Sequence, residues 1–258
     1  LSESTMNPVI DLLSQHRSYR HFKNGHTLPE AEIQAILTAA RQAPSWMNGQ
    51  HYSIIRITDP ALRAQIAAAQ PGNPQIASCS EFWVFVADAH RAELASRAYA
   101  GSFAAAGTPD TLLTLSVDTA MAAQNTIVAA ESLGYAICPI GGLRQIATQL
   151  VDWLALPPHT FPLFGLCIGV ADIDMRLKPR LPQQAVVFEN RYAPDAQLEA
   201  DLASYEHTMT AFGEAREKLP YRQKFARYYS QTYVPANIAL LKQQGLLTHP
   251  NGLPSDLD

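Results

Sequence analysis

Apolar residues recur along the chain at two spacings, and the places where one gives way to the other mark the elements. Asn7 caps a helix whose first turn begins at Pro8, where a missing N–H costs nothing, and Val9, Ile10, Leu12 and Leu13 carry it to about His16. A second helix opens at Pro29: Ile33, Ile36, Leu37 and Ala40 fall at i, i+3, i+4 and i+7, Glu30 and Glu32 stand at its positive end, and Pro44 stops it. The runs 52–57, 82–87 and 161–170 read as strands, with a helical stretch over 61–69 and a breaker loop over 70–74 between the first two. A long helix is expected over about 109–133. It has Val117, Ala120, Met121, Gln124, Ile127 and Val128 on one stripe and small alanines elsewhere, which predicts a central helix packed on several sides. Gly134 ends it, and residues 135–140 form a short strand entering a Gly141-Gly142 turn and a helix over about 143–154. After 186–188 the composition shifts to polar helical segments, about 197–217 and 221–244, which read as a C-terminal arm. Helices and strands alternate irregularly, which favours an α+β sandwich over a doubly wound sheet.

Composition adds a second constraint. Of 258 residues 47% are hydrophobic and only 16% charged, against about 25% charged in an average domain, so ordering entropy can be offset and the chain is charge-poor. A large core, or an oligomer covering surplus apolar surface, is expected. The balance of 19 Lys+Arg against 23 Asp+Glu argues against a surface that coats nucleic acid. No run approaches the roughly 18 apolar residues that cross a bilayer, and residues 1–6 are neither basic nor apolar, so no membrane or export signal is read. Cys79, Cys138 and Cys167 are odd in number and widely spaced, giving neither a redox pair nor a zinc spacing; a cytoplasmic protein is expected. GxGxxG, the P-loop, HExxH, GxSxG and the EF-hand loop are all missing from the sequence. His51, His90, His159, His207 and His249 read as surface or loop residues.

The few cations remain to be placed. His16-Arg17-Ser18-Tyr19-Arg20 closes the first helix, where Arg17 and Arg20, three apart, would face one way on a helical turn beside the Ser18 hydroxyl. In Lys178-Pro179-Arg180 the proline keeps its predecessor extended, so that residues two apart converge on one side. Two such cation pairs suit a phosphate dianion, arginine as a fork and lysine as a point charge. A third cluster, Arg216, Lys218, Arg222, Lys224 and Arg227, is either a solvated helix face or a local anion patch.

These motifs do not stand alone. The segments beginning HRSYRHF at His16, SIIRITD at Ser53, EFWVF at Glu81, VDTAM at Val117, AAESLG at Ala129, IGGLR at Ile140, LFGLC at Leu163 and LKPRLP at Leu177 occur in one order. Together they resemble the FMN-dependent nitroreductase superfamily, in particular its oxygen-insensitive NADPH nitroreductases and NADPH-dependent flavin reductases. The likeness runs from about Ile10 to Pro182 and more weakly to Gly245.

The resemblance implies a single domain over residues 1–258, a three-layer α/β/α sandwich with a helical C-terminal arm from about 190, in an intertwined homodimer that binds FMN at the subunit interface. It implies that His16, Arg17, Ser18, Lys178 and Arg180 hold the FMN phosphate and ribityl chain. It puts Arg20 near the pyrimidine end of the ring, where a fixed cation stabilises the negative charge of a reduced flavin. Ser45 and Asn73 would face the flavin, and Ile140, Gly141 and Gly142 would bring backbone amides close to the ring, with glycine permitting the approach. Asn73 stands where close relatives carry glutamine, and Trp46-Met47-Asn48-Gly49 replaces a serine-rich loop, so pocket shape differs. Trp46, Met47, Asn48, Arg216 and Arg222 are then candidates for the nicotinamide and substrate pocket. The implied activity is a ping-pong NAD(P)H oxidoreductase, NADPH favoured over NADH, with nitroaromatics, quinones or free flavin as acceptors and no protein nucleophile or metal. Rival readings are an FMN carrier or sensor without turnover, and a dehalogenating or flavin-fragmenting enzyme on the same fold.

Overall fold

In the computed structural model the described residues are 7–213 and 218–253. They divide into two compact units, one comprising residues up to 175 together with 236 onward, the other residues 176–235.

The first unit is organised by a strand whose sequence leaves it no exposed face. Strand β1 is Tyr52–Arg56, β2 Glu81–Asp88, β3 Ala136–Ile140 and β4 Thr160–Gly169, and they form an antiparallel sheet in the order β1-β2-β4-β3. Side chains alternate along β2. Phe82, Val84 and Val86 join Ile66, Ile76, Leu143 and Leu150 in one core, while Trp83 and Phe85 join Ile33, Ile36, Ala123 and Ile127 in another. Both faces of β2 are therefore covered, which is why Phe82 to Ala87 reads as an unbroken apolar run. Helices α1 (Pro8–Ser14), α2 (Glu30–Arg41), α3 (Pro60–Ala69), α4 (Gln75–Ser78), α5 (His90–Ala98), α6 (Pro109–Ser132) and α7 (Ala147–Trp153) surround this sheet, α2 and α6 contributing to the second core. The expected helix-sheet-helix layering is present in this unit. In the centre Phe85 is paired with Phe164 across β2 and β4, their rings stacked at 5.4 Å, and the register slips after Phe85 at a bulge.

Several expectations change. Helix α6 is present, but its buried side is Leu115, Asp118, Thr119, Ala122, Ala123, Thr126, Ile127 and Ala130. Val117 and Met121 of the expected stripe are 52% and 43% exposed. Small alanines and threonines let the helix approach the sheet closely, so the larger apolar side chains are left outside. Helix α5 was not foreseen, because its sequence is polar, with Glu93 as its one buried residue.

The second unit contains α8 (Asp195–Phe212) and α9 (Tyr221–Tyr229). No described residue of this unit is fully buried. It is held by ring contacts, Tyr205 on Tyr221 at 5.4 Å and Tyr221 on Phe225 at 4.7 Å, and by Arg176, which lies 4.0 Å over the Phe212 ring and donates to the Phe212 and Gly213 carbonyls. The helix expected over 221–244 is interrupted before Pro235. Its last part is a separate helix, α10 (Ala236–Gln243), whose Leu240 joins Leu246, Ala87, Leu115 and Phe161 in the core of the first unit.

Candidate active site

Helix α1 stops at Ser14, and Asn7 caps it through Val9 N and Ile10 N. Residues 16–20 therefore do not form a helical turn. Ser18 makes a parallel bridge to Ile137, and Tyr19 N donates to the Ile137 carbonyl at 2.8 Å. An extended chain alternates its side chains, so Arg17 and Arg20 fall on opposite sides, contrary to the helical expectation. The strand-like pairing wins because β3 would otherwise present an unpaired backbone edge. Arg17 shares a side with Tyr19, whose ring centroid is 6.0 Å from its guanidinium. Its Nη1 donates to the Gln15 carbonyl at 2.8 Å and its Nη2 is 3.6 Å from Asp174, while Nε is buried with no hydrogen-bond partner among the described residues. His16 Nδ1 lies 2.7 Å from Glu131 on α6.

The parallel register gives this segment a direction. Ser18 opposite Ile137 places Arg20 at the level of Pro139, where β3 runs into Ile140, Gly141 and Gly142. Beside that turn stands Asn73. A Cβ added to Gly142 would lie 3.2 Å from Asn73 Nδ2 and from Gln70 Oε1, so Gly142 makes room for this amide, and a Cβ on Gly141 would meet nothing within 4 Å. Asn73 Nδ2 donates to Gln70 Oε1 at 3.1 Å and its Oδ1 accepts from Gln75 at 3.3 Å. Arg63 fixes the segment that follows, donating to the carbonyls of Ile76, Ser80 and Cys79. Thus Asn73 and Gly141-Gly142 meet at the end of β3, Arg20 is level with Pro139 along it, and Ser18 lies two residues further back opposite Ile137. Such a place pairs a cation, an amide and an open backbone, the groups that suit a flat ring with an anionic tail.

Ser45, Trp46, Met47 and Asn48 lie on a loop tied to α6. Ser45 Oγ accepts from Gln50 N at 3.1 Å, and Trp46 and Met47 are 65% and 86% exposed. Met47, Asn48 and Gln50 have φ of 50°, 56° and 52°, a left-handed backbone that costs energy in residues other than glycine. Pro44, Ser45 and Trp46, with Leu113, Val117 and Met121 of α6, line an apolar cleft of about 410 Å³.

Lys178 and Arg180 belong to the second unit. Arg180 Nη1 donates to the Lys178 carbonyl at 3.1 Å, and Tyr205 Oη donates to the Pro179 carbonyl at 3.0 Å, holding the Lys-Pro-Arg backbone to α8. Lys178, Lys218 and Lys224 line a cavity of about 320 Å³ with Tyr205, Tyr221 and Phe225; Arg180 and Arg222 are not among its walls. Arg222 instead pairs with Glu206 at 2.7 Å, a contact that lowers the Glu206 carboxyl and raises the guanidinium. Arg216 lies outside the described residues.

Sequence reasoning missed two histidine clusters. His51, read as a surface or loop residue, is bound at 2.8 Å to Asp118, a buried aspartate of α6. His90 and His159 flank the buried Glu93 at 3.3 and 3.7 Å. The one signal for the first was an aspartate inside an alanine-rich apolar helix, a position that needs donors.

The Nitroreductase family profile matches residues 13–170, and that of the Nitroreductase family, C-terminal domain, matches residues 178–249. The chain is 39% identical over 248 residues to an oxygen-insensitive NADPH nitroreductase of Salmonella typhimurium, covering 94% of this chain and 100% of that one. It is 36% identical over 213 residues to an NADPH-flavin oxidoreductase of Vibrio harveyi, covering 82% and 85%. Among solved structures, a hypothetical oxidoreductase of Bacillus subtilis superposes with a TM-score of 0.89 at 32% identity over 93% of this chain and 98% of its own. An NADPH:FMN oxidoreductase of Vibrio harveyi, in complex with NAD+, gives 0.84 at 32% over 93% and 99%. With a profile spanning more than half its length and relatives aligned over nearly all of it, the chain belongs to the nitroreductase family.

Proposed function

We propose that the protein is an FMN-dependent NAD(P)H oxidoreductase that reduces nitroaromatics, quinones or free flavin, working as one nitroreductase-like domain over residues 1–258. The observation that carries this reading is the extended 16–20 segment running parallel to β3 into the Gly141-Gly142 turn, with Asn73 packed against Gly142. Arg17 has a buried Nε without a hydrogen-bond partner among the described residues, so a donor remains for an anion such as a phosphate. FMN fits these residues. His16, Arg17 and Ser18 would take the phosphate and ribityl end, Arg20 and Asn73 the pyrimidine end, and the amides of residues 140–142 the ring; Ser45, ahead of β1 at the sheet edge opposite β3, would reach the ring bound by a second copy.

Bound FMN supplies two-electron hydride chemistry, from NAD(P)H to an acceptor that follows it into the same site. The chain's own part is binding and field. Arg20 favours the charged, reduced form of the ring, and Gly141 lets the backbone come close. Lys218 and Lys224, with Lys178, make the second unit's cavity a place for the extra phosphate of NADPH, which supports NADPH over NADH. Arg222, already paired with Glu206, is not needed there.

The apolar cleft beside Trp46 and the outward Leu113, Val117 and Met121 of α6 support a homodimer in which a second copy covers them. No helix among the described residues is long and apolar enough to cross a membrane, and a cytoplasmic location belongs to the same proposal. The test is reconstitution with FMN, anaerobic titration with NADPH and then NADH, and reoxidation by a nitroarene, a quinone or free FMN. A yellow protein that NAD(P)H bleaches and each acceptor restores is expected. A colourless protein overturns the reading, and a yellow one that is not bleached would be a carrier.

A further inference from the structure

Asp118 is 2% exposed, and a carboxylate so placed must be met by donors. All three of its donors come from one loop: Trp46 N at 2.9 Å, His51 N at 3.3 Å and His51 Nδ1 at 2.8 Å. The carboxylate thus joins the two ends of a stretch whose Met47, Asn48 and Gln50 are left-handed, the kind of strain that only a firm surround maintains. Gly49 gives the imidazole its space, since a Cβ there would lie 2.1 Å from His51 Cε1. A carboxylate only accepts, so Nδ1 carries hydrogen in this pair and Nε2 is the ring nitrogen that stays clear of the carboxylate. Nε2 makes no hydrogen bond to a described residue. The ring stands in the wall of a cleft of about 250 Å³, with Trp46 and Phe103 as aromatic walls and Ser102, Thr111 and Thr114 as hydroxyls.

We propose that this cleft receives a planar, oxygen-bearing electron acceptor of the quinone or nitroarene class, and that His51 Nε2 gives the proton to its oxygen. The proposal rests on the reading above that the protein is a homodimer with FMN at its interface: residues 45–48, at the sheet edge opposite β3, would border the flavin held at the end of β3 of a second copy. Reduction of a quinone to a hydroquinone adds two electrons and two protons. One proton would be supplied with both electrons as hydride when the cofactor is bound and reduced. The other comes from His51: its Nε2–H bond breaks, an O–H bond forms on the acceptor, and the imidazolium becomes a neutral imidazole whose Nδ1–H stays on Asp118. Solvent restores the proton. Other charged groups near the ring are Asp110 on the cleft wall, Arg91, which donates at 2.6 Å to the carbonyls of Gln50 and Tyr52 on either side of His51, and Asp88, which pairs with Arg91 at 2.9 Å and whose N–H donates to the His51 carbonyl.

His51→Gln in FMN-loaded protein keeps a side chain that can donate to Asp118. Bleaching by NADPH should proceed at the unaltered rate, while reoxidation by a quinone slows by about a hundredfold, the usual scale for a lost general acid, and its solvent deuterium isotope effect disappears. Without any turnover, the hydroquinone product added to unaltered protein should shift the His51 Nε2 resonance. Unchanged reoxidation in His51→Gln, or an unshifted resonance, overturns the proposal. If the variant does not fold, the resonance alone decides. Failure of the unaltered protein to bleach would instead overturn the oxidoreductase reading.

Discussion

The two units of the chain solve different problems with the same amino acids. In the first, β2 places Phe82 to Val86 in two cores at once, and each ring is removed from water on every side. In the second, the rings of Tyr205, Tyr221, Phe225, Tyr228 and Tyr233 touch one another in a row, yet none is fully buried. A fully buried large apolar side chain is worth about 1.5–3 kcal/mol, and a half-exposed one much less. The first unit therefore carries its stability within itself. The second leaves its amphipathic rings, its lysines and the walls of its cavity partly in water, so less of its stability comes from burial.

The contrast is broken most directly by truncating one ring in each unit. Phe85→Ala should cost about 3–5 kcal/mol in urea unfolding, and Phe225→Ala less than about half of that; equal losses would erase the difference. Arg17→Ala should release FMN on desalting while circular dichroism and the melting curve keep the folded form. Stoichiometric flavin after desalting would contradict the phosphate assignment. Within the second unit alone, Lys224→Ala should raise the KM for NADPH by about tenfold, the scale of one charge-assisted hydrogen bond, and leave NADH little changed. Arg222→Ala should leave both donors unaffected in steady-state kinetics.

The smallest effect tests the acid side of the first unit. Burial opposes ionisation of Glu93, but Arg97, His159 and His90 outweigh it and hold the carboxyl below its usual range. A carboxyl depressed in the folded state contributes stability above its unfolded pKa of about 4.3 and loses it as pH falls through the lower folded value. Glu93→Gln should therefore flatten the decline of melting temperature below about pH 4.3, and an unchanged slope would remove Glu93 from the acid response.

How much of this was legible in the sequence depended on whether one element or two had to be known. The caps and breakers worked: Asn7, Pro29, Pro44 and Gly134 fall at the ends of the elements that they predict, because their effect is local. The stripe on α6 failed because close packing selected its alanines and threonines, a choice made by the sheet opposite rather than by hydrophobicity. Residues 16–20 went from turn to extended segment because β3, more than a hundred residues later, offered a bridge at Ile137. Of the candidate site residues, Asn73 and Gly142 meet as a local loop allows, whereas the pairing of His51 with Asp118 joins positions 67 residues apart and could not be read from either one alone.

The return of the chain to the first unit has a consequence for length. Residues 176–235 leave after Met175 and are recovered at Ala236, and Leu240 and Leu246 anchor that recovery in a buried cluster. The excursion is a closed span held at both ends. Closing such a span grows costlier only logarithmically, by about 0.6 kcal/mol for each doubling, so insertions within it are inexpensive. A protease cut inside it would leave two fragments still joined through the shared core, and the severed ends would remain tethered to one scaffold.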